Sequence, residues 1–224
     1  MLNSIFKKAI LSSIVLLCIV GCLTDLALIY IFGKQIPGYN QLTGTISSLG
    51  VSTSPVTWEV TVWSVILGVI FVLFGIGFRI GFPEFGKEAR KASLLIITYG
   101  LGDNVASGIF KADHLNGALT IMAVVHNLLG GIGIIALILL PLVMMKIFTR
   151  ESFPAFFRFS GTVWVIGLIS ILFFSFRIVY FENSFLNTYK GLWQRIFLVD
   201  YYIYFTAIAY MMMKKIHEKA TTTL

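Results

Sequence analysis

Residues 100–133, GLGDNVASGIFKADHLNGALTIMAVVHNLLGGIG, contain two apolar segments joined by a short polar turn. Each segment carries an ionisable residue followed by an asparagine, Asp103 in the first and His126 in the second. Asp103 lies eleven residues before His114, and His126 lies eleven residues after Leu115. If the segments form an antiparallel pair of helices, these two side chains sit at the same depth. The pattern therefore predicts polar chemistry inside an otherwise apolar helical hairpin.

The composition of the whole chain sets the class of protein. Of the 224 residues, 58% are hydrophobic and only 12% are charged, and the mean hydropathy is +0.90. A soluble domain is about 25% charged, and this length suits a single domain. We therefore predict a single-domain, all-α membrane protein whose partners are membrane lipids. The formal charge of +7 does not indicate a nucleic-acid partner, because loop Lys and Arg in membrane proteins mostly record orientation.

Six stretches have the length and apolarity of membrane helices, which need about 17–25 residues each. Their approximate limits are residues 9–32, 57–78, 92–110, 118–144, 159–181 and 192–213. In this six-helix bundle, twelve of the 17 Lys and Arg residues fall on one side. Because cytoplasmic loops are the positive ones, both termini are predicted to be cytoplasmic. Small residues let membrane helices approach closely. The glycines predicted to do so are Gly75, Gly77, Gly81, Gly130, Gly131 and Gly133.

Residues 33–56 are the longest connection and are predicted to form an outer loop. They include a turn signal, PGYN, at residues 37–40. Leu42, Ile46 and Leu49 then recur at helical spacing, which suggests a short helix lying on the membrane surface. Two roles stay open for this loop: a cap on the bundle, or a lid over a site below it.

Four ionisable side chains fall in one layer of the outer half of the bilayer when about 1.5 Å is counted per residue. They are Asp25, Asp103, His126 and Asp200. Such groups cost about 2.5–3.5 kcal/mol each on insertion scales and usually face the protein interior or a wet cavity. Mutual pairing is therefore predicted. For Asp103 and His126 it could be a structural hydrogen bond, a proton relay or acid–base pair, or part of a metal site.

The three histidines do not have the spacing of a metal or haem site. His114 falls at the turn of the hairpin and His217 in the C-terminal tail, so His126 is alone at its depth. The HExxH and HxxxH patterns do not occur. We predict neither a metal nor a cofactor.

Two arginines lie above the polar layer, Arg177 and Arg195, each about one turn from the outer surface. In a hairpin of the fifth and sixth spans they should be neighbours, and two adjacent guanidinium groups need an anion between them. A carboxylate or an anionic ligand could supply it. Trp193 falls at the predicted outer boundary, where aromatic belts occur.

Three motifs fall on the predicted outer side: PGYNQLTGTISSLG at residues 37–50, Asp113 ahead of the span that carries His126, and GLWQRI at residues 191–196. Together they resemble the bacterial membrane family known as domain of unknown function 998. The resemblance implies a six-span protein over nearly the whole chain, and it implies no particular activity. The residues of this chain that match the typical motifs of the family are Ser48, Gly50, Asp113, His126, Trp193 and Arg195. The family more often has an acidic residue where this chain has Gln194, which argues against a catalytic carboxylate there.

Three classes of function stay open, and whether the protein is an enzyme stays open with them. An enzyme would act on a lipid or isoprenoid with an anionic head group. His126 would be its general acid or base, oriented by Asp103 or Asp113, and Ser48 a nucleophile in the lid. The predicted ligand-binding residues are Arg177, Arg195, Trp193, Asp200 and Asp25.

The other two classes need no reaction. A proton-coupled transporter or lipid carrier would use the carboxylate–histidine layer as a proton path. A structural or regulatory membrane subunit would use it only to specify helix packing. In all three cases the predicted location is the bacterial cytoplasmic membrane, with the chain crossing it several times.

Overall fold

In the computed structural model of the chain, residues 2–175 and 184–221 are described. The α-helices assigned there are α1 (Leu2–Gln35), α2 (Thr57–Gly81), α3 (Gly86–Tyr99), α4 (Ser107–Ile109), α5 (Ile121–Ile147), α6 (Pro154–Ser175), α7 (Phe185–Thr188) and α8 (Lys190–Thr221). The remaining elements are 3₁₀ turns at Ser47–Gly50 and Pro83–Phe85, a π-helical segment at Gly100–Ala106, and a hairpin of β1 (His114–Leu115) and β2 (Ala118–Leu119).

Within the described residues, the helices long and apolar enough to cross a membrane are α1, α2, α5, α6 and α8. Their outer faces carry large exposed apolar side chains, such as Leu16, Leu23, Ile66, Leu139 and Ile203. Exposed apolar surface on this scale is unfavourable in water and is what lipid requires. The expectation of a helical membrane protein that crosses the bilayer several times is confirmed.

The third apolar stretch is helical from residue 86 to residue 109, but its hydrogen-bond pattern changes on the way. α3 passes directly into the π-helical segment Gly100–Ala106, which passes directly into α4. The sequence predicted an ordinary span over residues 92–110. The widened turn in its middle was not predicted.

Six helical segments form a closed ring. Around it, α1 packs on α2, α2 on α3, α3 on α5, α5 on α6, α6 on α8, and α8 on α1. The ring brings the two ends of the chain together. Near its start, Ile14 of α1 faces Gly77 of α2, and near its end, Lys215 of α8 pairs with Glu84 between α2 and α3. We call this the terminal end of the ring, and the opposite end the loop end.

Aromatic side chains fill the ring in its terminal half. Phe71 of α2 contacts Tyr99 of α3 and Phe205 of α8, with ring centroids 4.9 and 4.7 Å apart. Beyond them, Phe148 after α5 meets Phe82 after α2 edge to face, at 5.5 Å. This half is packed as a solid core.

Residues 36–56 cover the loop end. The surface helix expected over residues 42–49 is not formed, and only the 3₁₀ turn Ser47–Gly50 is helical there. Leu49 is buried instead, in a cluster with Ile29 and Phe32 of α1. Leu49 and Ile46 therefore anchor this loop in the loop end of the ring, whereas Leu42 is exposed.

The fourth predicted span begins later than expected, and the predicted end of the fifth lies outside the described residues. The fourth was expected from residue 118, but α5 begins at Ile121 because the β-hairpin occupies the residues before it. The turn of that hairpin is Asn116-Gly117, with φ values of 51° and 80°, as a type I′ turn requires. The expected end of the fifth span, at residue 181, lies outside the described residues, as does Arg177.

Candidate functional site

A cavity of about 570 Å³ occupies the loop half of the ring. It is enclosed by all six helical segments of the ring and roofed by residues 46–50. Its volume falls within the range of small-molecule sites, about 300–1,000 Å³. Three of the predicted catalytic and ligand-binding residues line it, namely Asp25, Asp103 and His126, and so does Gly50 of the family motif.

Asp25 of α1 accepts one hydrogen bond on each carboxylate oxygen. Trp63 of α2 donates through Nε1 to Oδ1 at 2.7 Å, and Tyr202 of α8 donates its hydroxyl hydrogen to Oδ2 at 2.7 Å. Asp25 is only 7% exposed, so these bonds satisfy a group whose isolation would be costly. Both donors are neutral, and the carboxylate therefore ties three helices together without an ion pair.

Asp103 lies in the π-helical segment, which is held between α2 and α5 by close glycine contacts. A Cβ on Gly100 would lie 2.7 Å from the carbonyl oxygen of Gly68 in α2. A Cβ on Gly133 of α5 would lie 2.8 Å from the Cβ of Asp103. Single π turns inside α-helices are frequent at functional sites. This one points Asp103 into the cavity, where its carboxylate accepts no hydrogen bond from the described part of the chain.

His126 of α5 is positioned by two backbone carbonyls at the end of α4. Its Nδ1 lies 2.8 Å from the oxygen of Phe110 and 3.1 Å from the oxygen of Ser107. A carbonyl oxygen can only accept, so Nδ1 carries the hydrogen and Nε2 of the neutral ring is an acceptor. No hydrogen bond joins His126 to Asp103 among these contacts, so the direct structural bond weighed from the sequence is absent.

The opposite wall of the cavity is apolar. It consists of side chains from the facing sides of α5 and α6: Ile134, Ile135, Ile138, Leu168, Ile171 and Leu172. The cavity is therefore polar where Asp25, Asp103, His126 and Asn127 line it, and apolar along these side chains of α5 and α6. Such a division suits a molecule with a polar head and an apolar tail.

The described lining residues include no lysine or arginine. Arg195 of α8, which was expected to hold an anionic head group, bonds to the loop instead. Its Nη2 donates to the hydroxyl of Tyr39 at 2.7 Å and to Oε1 of Gln41 at 2.6 Å, and its Nη1 donates to the carbonyl of Gly44 at 2.9 Å. The guanidinium is a clamp on residues 36–56.

Two neighbours of Arg195 continue this clamp. The side-chain oxygen Oε1 of Gln194 accepts from the backbone amide of Ile46 at 2.7 Å, and the backbone amide of Leu192 donates to the carbonyl of Leu42 at 2.8 Å. The motif at residues 191–196 therefore binds the motif at residues 37–50, although far apart in the sequence.

Asp113 forms a second clamp on the same loop from the other side of the ring. It accepts hydrogen bonds from the hydroxyl of Ser52 at 2.5 Å and from its backbone amide at 2.8 Å. These bonds hold the pKa of Asp113 below its usual value, because they favour the charged form. Asp113 does not line the cavity.

Three further predicted residues in the described part of the chain, Ser48, Trp193 and Asp200, do not line the cavity. The hydroxyl of Ser48 donates to the carbonyl of Thr45 at 2.6 Å and so organises the loop. Trp193 packs on Phe173 of α6, with centroids 4.9 Å apart. Asp200 of α8 is half-buried, and its Oδ2 finds no partner among the described residues.

A metal site has no support in the described part of the chain, which holds no group of three or more His, Cys, Asp or Glu able to bind one. The residues that sequence reasoning missed are the partners of Asp25, namely Trp63 and Tyr202, and the buried Asn104 beside Asp103. Of these three residues, only Asn104 could be identified from the sequence, because it interrupts the same apolar stretch as Asp103.

The fold and the site describe a multi-pass helical membrane protein with an internal cavity covered by a clamped loop. The family model described as "Protein of unknown function (DUF998)" matches residues 19–211, a span that includes the cavity, both clamps and the loop. The chain belongs to this family, as its motifs suggested. Comparisons with curated proteins and with solved structures gave no match.

Proposed function

We propose that the protein binds an amphiphilic molecule that it takes from the membrane, for recognition, carriage or processing. The observation that supports this most is the cavity itself, which joins a polar end at Asp25, Asp103 and His126 to an apolar wall between α5 and α6. A purely structural subunit would have no need of a hollow lined in this way, since empty volume costs packing energy.

A lateral opening would give the ligand its route. Ile135 of α5 and Leu172 of α6 both line the cavity, yet they are 58% and 53% exposed. This combination supports an opening between the two helices toward the surrounding lipid. An apolar tail could then remain in the bilayer while the head reaches the polar end.

We further propose that the protein spans the bacterial cytoplasmic membrane six times, with both termini in the cytoplasm. The five helices long enough to cross the membrane would be joined by the continuous helical run over residues 86–109. This run is third in chain order and takes a full place in the ring between α2 and α5. Both chain ends then lie on the side that carries most of the positive charge, as the positive-inside rule asks.

The binding function is tested by filling the cavity. A Cβ on Gly131 of α5 would meet no atom within 4 Å, and Gly131 lines the cavity. Gly131→Leu should therefore place a side chain in the cavity without disturbing the ring. Gly161 of α6 is equally unobstructed but does not line the cavity, so Gly161→Leu is the matched control.

The measurement is native mass spectrometry of protein purified in a mild detergent, before and after addition of a membrane lipid extract. We expect a bound amphiphile on the wild type and on Gly161→Leu, and its loss from Gly131→Leu. Retention of the same species by Gly131→Leu, or no saturable binding by the wild type, would show that the cavity is not a ligand site.

A further inference from the structure

We propose that the polar end of the cavity binds the ammonium group of an amphiphilic amine. This assignment rests on the proposed function and names the chemistry of its ligand. It differs from the anionic head group that the two arginines had suggested, because the cavity places acidic groups where a ligand head would lie.

The two carboxylates supply the first argument. Asp103 faces the cavity with no hydrogen-bond donor from the described part of the chain. Asp25 has donors only from Trp63 and Tyr202, which are both neutral. With no lysine or arginine among the described lining residues, an ammonium group on the ligand would give these carboxylates a counter-charge.

The tautomer of His126 supplies the second argument. Since Nδ1 donates to the carbonyls of Ser107 and Phe110, the Nε2 atom of the neutral ring can only accept. Among the ionisable side chains at this end of the cavity, the free positions are therefore those of acceptors, on Asp103 and on Nε2 of His126. An ammonium group offers three donors and no acceptor, so it fits this set, whereas a phosphate offers only further acceptors.

Aromatic rings supply the third argument. Trp63, Tyr99 and Tyr202 line the cavity around Asp25. Rings of this kind attract cations through their electron-rich faces, and they recognise alkylammonium ligands in other sites. A carboxylate combined with aromatic walls favours a cationic head over a neutral hydroxyl head.

The test compares three 12-carbon probes that differ only in the head group: dodecylamine, dodecanol and dodecyl phosphate. Each is titrated against the full-length protein in maltoside micelles, and the rise in thermal midpoint reports binding. We expect dodecylamine to reach half-saturation at a concentration at least about tenfold lower than either other probe, as charge-assisted hydrogen bonds allow.

Two aspartate variants test whether the carboxylate of Asp103 holds the amine. Asp103→Asn should abolish the preference for the amine while leaving the dodecanol titration unchanged. Asp200→Asn removes an equal charge from α8 at a half-buried position that does not line the cavity, and it should leave the preference intact. A preference lost equally in both variants would overturn the assignment.

The outcomes separate the two proposals. If dodecanol or dodecyl phosphate binds as tightly as the amine, the cavity binds amphiphiles but the ammonium assignment is wrong. If no probe gives a saturable shift that Gly131→Leu abolishes, the proposed binding function fails with it. The wild-type comparison of the three probes holds even if an aspartate variant does not fold.

Discussion

The imidazole of His126 is fixed from one side and free on the other. Two carbonyl oxygens, of Phe110 and Ser107, hold the Nδ1 hydrogen, and both belong to the point where the third helical run ends. Carbonyls at a helix end have no partner within the helix. Nδ1 of His126 therefore holds the end of this helical run, whereas Nε2 remains available to the cavity.

Two substitutions of His126 test the contribution of the Nδ1 hydrogen bonds to stability. Asparagine can present an N–H close to the position of Nδ1, whereas leucine cannot, so His126→Asn should remain close to the wild type in stability. His126→Leu leaves two part-buried acceptors without this donor and should lose about 1 kcal/mol. Thermal unfolding in detergent measures both. Equal destabilisation by the two variants would mean that the carbonyl contacts contribute nothing.

At this scale the sequence identified most of the ionisable residues of the cavity but not what they contact. Asp25, Asp103, His126 and Asp200 were singled out because charge is expensive in an apolar span; the first three line the cavity and Asp200 does not. The donors to Asp25 lie 38 and 177 residues away. Arg195 is separated from Gly44 by 151 residues. Pairings over such distances depend on helix order and rotation, which no local pattern specifies.

The π-helical segment Gly100–Ala106 packs closely against two helices. α2 and α5 approach it so closely that side chains are excluded at the contact points, Gly68 and Gly133. The sequence predicted close packing for the glycines of α5. Gly133 confirms this prediction, whereas Gly131 has open space beside it.

This difference gives a matched pair of substitutions. Gly133→Ala should force α5 away from the π segment, because the added Cβ would lie 2.6 Å from the backbone nitrogen of Asp103. Overpacking of this kind costs about 1–3 kcal/mol. Gly131→Ala adds the same methyl group to the same helix where nothing lies within 4 Å. The thermal midpoint of Gly133→Ala should be the lower of the two. A similar midpoint for both variants would contradict the close contact between Gly133 and the π segment.

Element boundaries show what local signals can and cannot predict. The Asn116-Gly117 pair at the turn of the β-hairpin is a strong type I′ signal, although the sequence predicted that the fourth span begins directly after it, at residue 118. The spacing of Leu42, Ile46 and Leu49 suggested a helix, yet the loop folds around contacts with Arg195 and Asp113 instead. Tertiary bonds outweighed helical propensity there.

At the scale of the whole molecule, the closed ring places the α5–α6 connection at the terminal end and residues 36–56 at the loop end. The composition predicted a multi-pass helical protein. It could not predict the order of the helices around the ring. The proposed orientation puts the loop end outside the cell. Thr53 in the loop and Ser152 in the α5–α6 connection are both exposed, so they can report on it.

Cysteine labelling in intact cells tests this orientation. Thr53→Cys should react with a membrane-impermeant maleimide from outside, and Ser152→Cys should react only after the membrane is opened. The native thiols, Cys18 and Cys22, are 0% and 1% exposed and should give a low background. Labelling of Ser152→Cys in intact cells would reverse the proposed orientation, and labelling of both would argue against an intact bundle.

The proposed opening between α5 and α6 lies in the side of the ring, while two clamps hold residues 36–56 over its top. A ligand arriving through the side comes from the hydrocarbon, so its mole fraction in the bilayer sets the occupancy of the cavity. Each methylene favours transfer into hydrocarbon by about 0.8 kcal/mol, nearly fourfold at 25 °C. In a homologous series with equal contacts, dissociation constants per volume of water would therefore fall about fourfold per methylene. The same constants expressed per lipid would not change with chain length.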